Sequence, residues 1–418
     1  MDRFIPNRSG MDYDYAHYMV TQSWKLQPKN SSALFGESYQ ELLALALNQN
    51  HSRIMVYNDK KPQHVDLFNE ANISSLPQFR SKTSSRGNRI PSEAERVLDA
   101  PGLLDNDSLN LLDWSKRDVI AIALGNSVFC LNNVDGSIWE LLTVNAECGP
   151  VTSLSWTPDG KDLAIGLRNS VQLWDILSSR KIRSLSCSHY STVGSMAWNR
   201  HVITTGGKNG KIVNNDIRSK SNIIDIYHGH RRDVCGLNWS NEGSHLASGG
   251  QDRFVHVWDR HMASPCLKMQ HLHRIRDHKA AVRALAWSPH RRNLLASGGG
   301  KGDHCIKIWN SQLDQCLNSV DTGSEVCALL WNKHENELLS SHGSSENQLM
   351  LWKYPSMMKI SKVEVHSSRV LFMAQSPNGC KVASAAPDDS LRLWNIFPAQ
   401  ESDSSIEVSS SLFSHTIR

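Results

Sequence analysis

Five stretches of the chain share one pattern: apolar and small or polar residues alternate with a period of two and then close on tryptophan. They are VTSLSW (151–156), VGSMAW (193–198), VCGLNW (234–239), VRALAW (282–287) and VCALLW (326–331). Such alternation predicts a half-buried β-strand, with one face in a core and the other turned outward. NLLDW (110–114) precedes them, and VLFMAQ (370–375) follows with Gln375 in the tryptophan place. The closing positions are 114, 156, 198, 239, 287, 331 and 375, so the spacings are 42, 42, 41, 48, 44 and 44.

A second series interleaves with the first. VQLWD (171–175), VHVWD (255–259), IKIWN (306–310), LMLWK (349–353) and LRLWN (391–395) are clear copies. VFCLN (128–132) and IVNND (212–216) are degenerate ones, with Leu131 and Asn215 where tryptophan is expected. Between the two series lie short strands of small residues: LAIG (163–166), LASGG (246–250), LASGGG (295–300) and VASAA (382–386). Seven copies at a period of roughly 40–45 residues match a WD repeat, four strands to a unit. One such unit cannot cover its own apolar faces, whereas a closed ring of seven covers them all. The fold read from this is all-β, a seven-bladed WD-repeat β-propeller over residues 94–397. RVLDA (96–100) supplies the outer strand that the seventh blade lacks.

Polar residues repeat with the same period. His189, His230 and His278 each stand nine residues before a first-series tryptophan, and His366 nine before Gln375; Asp252, Asp303 and Asp388 stand six before a second-series tryptophan. A buried imidazole, hydroxyl and indole N–H must all find partners, so His230, Ser248, Asp252 and Trp258 are expected to bond to one another. One such set per blade does not converge on a point, which argues against a metal site.

Composition narrows the class. Lys+Arg exceed Asp+Glu by 45 − 41 = 4, too few to make nucleic acid or an anionic membrane the main partner. No apolar run approaches the roughly 20 residues of a membrane span. The nine cysteines are scattered and form no CxxC pair, so neither a disulfide framework nor a cysteine zinc site is expected. No Ser/His/Asp grouping, glycine-rich phosphate loop or catalytic carboxylate pair stands out, which disfavours a propeller enzyme. No cofactor is implied.

The tails differ from the centre. Residues 1–93 carry no repeat, and 58–92 are rich in Ser, Asn, Lys, Pro and Gly, the composition of a flexible linker. ESYQELLALALN (37–48) suits a short helix that is marginal alone; an unstructured leucine-rich stretch fits equally well. Residues 398–418 are serine-rich and end in Ile417-Arg418. An apolar side chain, a guanidinium and a free carboxylate on a tether suit a groove with an acidic rim.

The start, Asp2-Arg3-Phe4-Ile5-Pro6-Asn7-Arg8, the Ile417-Arg418 end and the seven units between them together resemble the Fizzy (cell-division-cycle-twenty) family of activators of the anaphase-promoting complex. NLLDWS (110–115), GPVTSLSW (149–156), NQLMLWKYPSM (347–357) and SRVLFMAQSPNGC (368–380) look most like plant members. The resemblance implies a non-enzymatic adaptor, in the nucleus and cytoplasm, that binds this ubiquitin ligase by its tails and presents substrates on the propeller. Asp2, Arg3, Phe4, Ile5, Pro6 and Arg8 look like the family's C-box, which docks on a scaffold subunit, as does Ile417-Arg418. Ile54 and Met55 in SRIMVY (52–57) stand where the family has a short Ile-Leu docking motif; a plain hydrophobic linker reads equally well. Implied partners are ligase scaffold subunits, degron-bearing substrates such as cyclins, and spindle-checkpoint proteins, with no nucleic acid and no membrane.

Family substrates carry a destruction box with an arginine and, three residues on, a leucine. By resemblance the receptor lies at the seam of the first and last blades, at Leu112, Asp113 and Asp389. Asp388 already holds the structural place, which leaves Asp389 free; the family usually has Glu there. A second degron, the KEN box, is read on the top face. Here the family pattern GGNDN appears as GGQDR (249–253), so Gln251 and Arg253 replace amides. Lys301 stands where a small residue or Thr is usual and Glu325 where Gln is usual, while Arg369 is retained. Arg253 and Lys301 oppose a lysine-bearing degron by like charge, so weak or altered KEN recognition is expected. The alternative is a diverged paralogue or a generic WD-repeat scaffold with altered degron binding.

Overall fold

The computed structural model describes residues 90–397, apart from 146, 148, 188, 190, 261–270, 344 and 345. The strands form seven antiparallel sheets of four. Blade one runs outward from Leu112–Trp114 through Val119–Leu124 and Ser127–Asn132 to Ile138–Thr143. Blades two to six begin at Ser153, Val193, Val234, Val282 and Val326 and keep that order. Blade seven has Phe372–Gln375, Lys381–Ala386 and Ser390–Asn395, and its outer strand is Arg96–Asp99, donated from before blade one. Arg96 lies opposite Leu393 and Asp99 opposite Ser390. Each inner strand packs beside those of its two neighbours, and the seventh beside the first, so the ring is closed. The first tryptophan series therefore marks inner strands, and the second series marks third strands. The tails, with the segments at 1–8, 37–48, 52–57 and 417–418, lie outside the described residues.

Burial follows radius. The second strand of blade five, Leu294–Gly299, is buried throughout, while its outer strand Gln315–Asp321 alternates between exposed and half-buried. Close approach between blades explains the small residues: a Cβ on Gly298 would sit 2.4 Å from Val326 Cγ1 of the next blade. First-series tryptophans stitch blade to blade through their indole N–H. Trp156 donates to the Asp113 carbonyl at 3.2 Å, Trp198 to Ser155 at 3.3 Å, Trp287 to Asn238 at 3.0 Å and Trp331 to Ala286 at 3.1 Å. Each acceptor belongs to the inner strand of the preceding blade.

The polar networks form as their spacing requires. In blade four, His230 Nδ1 lies 3.0 Å from Asp252, His230 Nε2 lies 2.8 Å from Ser248 Oγ, and Trp258 Nε1 donates to that hydroxyl at 2.8 Å. Blade seven repeats this with His366, Asp388, Ser384 and Trp394, and blade five with His278, Asp303, Ser297 and Trp309. In blade three Thr205 and Asn209 take the serine and aspartate parts. Blade six has no histidine at the usual place. His342, on the second strand, fills the space instead, between Ser324 (3.1 Å) and Ser340 (2.7 Å), and Trp352 bonds Ser340.

Candidate functional site

The closing seam, between blades seven and one, lacks the indole stitch. Trp114, which would reach back to blade seven, turns its N–H to Asp118 of its own blade at 2.8 Å; at the seam of blades six and seven Gln375 replaces tryptophan and donates to the Gly379 carbonyl. Packing holds this seam instead: Leu112, Leu371, Phe372, Ala385 and Leu391 share one core cluster. Arg96, on the donated strand, reaches across to the Gly136 carbonyl of blade one at 3.3 Å.

Asp113 does not face that seam. Its carboxylate accepts the backbone N–H of Trp156 at 2.8 Å and that of Trp114 at 2.8 Å, so it is turned toward blade two. Burial pushes its pKa up to about 6, against these hydrogen bonds, which lower it. Leu112 is 2% exposed and fills the inter-blade core. The expected convergence of Leu112, Asp113 and Asp389 is therefore not formed. The reason is partner choice: the Asp113 carboxylate is committed to the backbone of Trp156 and Trp114, whereas Asp389, on a turn of blade seven, is tied to Ala100 and Gly102.

Asp389 has a different neighbour. It is exposed, with a left-handed backbone (φ 57°), on the turn between Lys381–Ala386 and Ser390–Asn395. Its carbonyl accepts from Ala100 N at 2.7 Å and its Oδ1 from Gly102 N at 2.9 Å. Both contacts clamp the end of the donated strand, which places exposed Asp99 beside Asp389 at one end of a strand pair. Leu98, next along, is half-buried and packs toward blade one on the cluster that also holds Leu124, Phe129 and Leu142. Two exposed carboxylates thus stand beside a partly covered apolar patch at the closing seam. RVLDA read as a strand in the sequence; its acid gained meaning only from the register.

The second-to-third-strand turns and the connections between blades open on this same upper face. Gln251 and Arg253 lie on the blade-four turn and Lys301 on that of blade five; Glu325 and Arg369 lie just before the inner strands of blades six and seven. One segment ties several of them together. The connection from Asp99 to Leu112 crosses the channel mouth, where Arg369 meets Asp105 at 2.5 Å, Asp107 at 2.7 Å and Glu325 at 3.6 Å. Gln251 Nε2 donates to Ser108 Oγ at 3.0 Å and Arg283 to the Leu109 carbonyl at 2.9 Å. A Cβ on Gly194 would sit 2.2 Å from the Ser108 carbonyl, so glycine there makes room for the crossing. Below it lies a cavity of about 180 Å³ lined by Asp107, Arg232, Gln251, Arg283 and Glu325 among others. Burial and the Arg369 guanidinium nearby lower the Arg283 pKa. Arg253 and Lys301 are exposed.

The CDC20/Fizzy WD40 domain family matches residues 98–394. The chain belongs to the CDC20/Fizzy family. It is 52% identical over 419 residues to the Arabidopsis thaliana protein named Cell division cycle 20.4, cofactor of APC complex, spanning 99% of this chain and 94% of that protein. It is 38% identical to the Dictyostelium discoideum anaphase-promoting complex subunit cdc20, over 95% of this chain and 85% of that one. Among solved structures it resembles a chain of the crystal structure of the mitotic checkpoint complex. The TM-score is 0.70 at 39% identity, covering 73% of this chain and 95% of that chain.

Within this CDC20/Fizzy propeller one further cluster has ligand-type side chains. His230, Asp252 and His256 offer atoms within 4.8 Å of one another. His230 and Asp252 are already bonded to each other, as their counterparts are in blades five and seven, so they serve the blade. His256 is the addition. It is fully buried and stacked on Trp258 at 5.3 Å, and neither ring nitrogen has a hydrogen-bond partner among the described residues. Burial and the neighbouring His230 push its pKa down to about 2.

Proposed function

We propose that this CDC20/Fizzy protein is a cofactor of the anaphase-promoting complex that presents degron-bearing substrates, cyclins among them, and meets checkpoint proteins, without bond chemistry of its own. The observation that carries the substrate part is the acidic end of the donated strand. Asp99 and Asp389 stand beside half-buried Leu98 at the one propeller seam between described blades of opposite chain ends. An arginine of a destruction box fits the carboxylates and its leucine the apolar patch. Asp2, Arg3, Phe4, Ile5, Pro6, Arg8, Ile54, Met55 and Ile417-Arg418 are proposed to dock the ligase.

Reconstitution with purified ligase and a destruction-box substrate tests this. The chain should support ubiquitylation, and removing residues 1–8 and 417–418 should abolish ligase association. Asp99→Asn with Asp389→Asn should remove destruction-box peptide binding and leave the propeller folded. Retention of full binding by that double variant refutes the receptor assignment.

KEN peptides are proposed to bind weakly. Arg369 already holds Asp105 and Asp107, and Arg253 and Lys301 add like charge. A polarisation titration as tight as that of a family member with the GGNDN pattern overturns this reading.

A further inference from the structure

Blade four carries a cationic rim that neither the ring nor the closing seam uses. Its outer strand, His273–Ile275, is three residues long, and Arg274 lies opposite His256. The Arg274 guanidinium sits 4.1 Å from the Phe254 ring centroid and that of Arg276 sits 5.6 Å away. Both cations thus flank one aromatic ring. Arg231 joins them from the connection that enters blade four, where its backbone N–H donates to Asp252 at 2.9 Å; burial, and then the like charges of Arg276 and Arg231, lower the Arg274 pKa. Exposed Arg253 adjoins Phe254 in the chain.

Little negative charge answers this cluster. Asp252, the nearest carboxylate, already accepts from His230 and from the backbone N–H groups of Arg231 and Phe254. Asp233 and Asp277 flank the rim in sequence; the Asp233 carbonyl accepts from Gln251 N and the Asp277 carbonyl from Lys307 Nζ. Arg274 Nε is a buried donor without a partner among the described residues. Buried donors of this kind are destabilising unless an occupant supplies oxygen. Trp258, on the face of this strand shared with His256, packs with Tyr227 of blade three, so the rim lies at the seam of blades three and four, far around the ring from Asp99 and Asp389.

We propose that this rim of Arg231, Arg253, Arg274 and Arg276 around Phe254 docks a phosphorylated peptide segment of a partner protein. A phosphoserine brings nearly two negative charges and three acceptor oxygens to a set of forked donors. A peptide fits better than nucleic acid because Arg274 covers the Phe254 face on which a base would stack.

The test uses the full chain and a fluorescein-labelled Gly/Ser peptide with two phosphoserines, read by fluorescence polarisation near physiological salt. Saturable binding is expected, weakened about tenfold or more by Arg274→Gln with Arg276→Gln, the loss of one charge-assisted bond or more. Arg231→Gln with Arg253→Gln, at exposed positions, should also weaken it while melting stays unchanged. Arg291→Gln with Arg292→Gln should leave it intact; these side chains lie on the opposite face, against Tyr354 and Glu242. Absent binding, equal binding of the glutamate counterpart, equal loss in the opposite-face variant, or tighter binding of an oligouridylate of equal charge each overturns the proposal. The seam variants Asp99→Asn and Asp389→Asn should leave this binding unchanged.

Discussion

Replacing Asp113 with alanine separates a structural carboxylate from a receptor carboxylate. The change strips the acceptor from two backbone N–H groups, of Trp156 and Trp114, both held at 2.8 Å. Each unsatisfied buried donor costs about 1–3 kcal/mol. Against this, the substitution removes a buried charge. The folded carboxyl titrates at about 6 rather than 3.8, which disfavours its ionised form by about 3 kcal/mol at neutral pH. A raised folded pKa in an acid means that the folded state holds the proton more tightly. The stability it contributes is full below the unfolded value and is lost as pH rises through about 6. Asp113→Ala should therefore destabilise modestly near neutrality, and its cost should be about 2 kcal/mol larger near pH 4.5 than near pH 7.5. Urea denaturation followed by tryptophan fluorescence at the two pH values reads this directly. A cost that grows with rising pH refutes the burial argument. Unchanged stability with lost destruction-box binding would return Asp113 to the receptor.

Three other outcomes follow from the same contacts. Ser384→Ala leaves His366 Nε2 and Trp394 Nε1 without their shared partner and should cost about 2–4 kcal/mol in urea denaturation; a loss below about 1 kcal/mol contradicts the network reading. His256→Leu removes an imidazole whose pKa lies below its unfolded value, so the protons taken up on unfolding no longer favour the unfolded state in acid. The variant should gain about 2–3 kcal/mol relative to the parent on going from about pH 7.5 to about pH 4.5, and a parallel pH profile for the two proteins counts against it. Asp99→Asn with Asp389→Asn should change stability by less than about 1 kcal/mol, because both side chains are exposed; a larger drop in melting would mark them as structural.

The sequence by itself determined the ring. Strand alternation, the tryptophan period and the His, Ser and Asp offsets are local patterns, and each maps onto one blade, so copies at seven places specify seven blades and the order of strands within them. Even Arg96–Asp99 was legible as the missing outer strand, because six complete blades and one short of a strand leave a single vacancy. Where that reading stopped was at side-chain direction and at contacts between distant segments. Asp113 and Asp389 both belonged to the right blades, yet the backbone of Trp156 and Trp114 holds the Asp113 carboxylate and register puts Asp99 beside Asp389 instead. His342 standing in for an absent histidine, and Asp105 and Asp107 held by Arg369, are likewise contacts across separate strands and loops. A period in sequence encodes which residues are equivalent. Only the folded ring decides which of the inequivalent ones meet, because that depends on twist, register and the path of a single crossing loop.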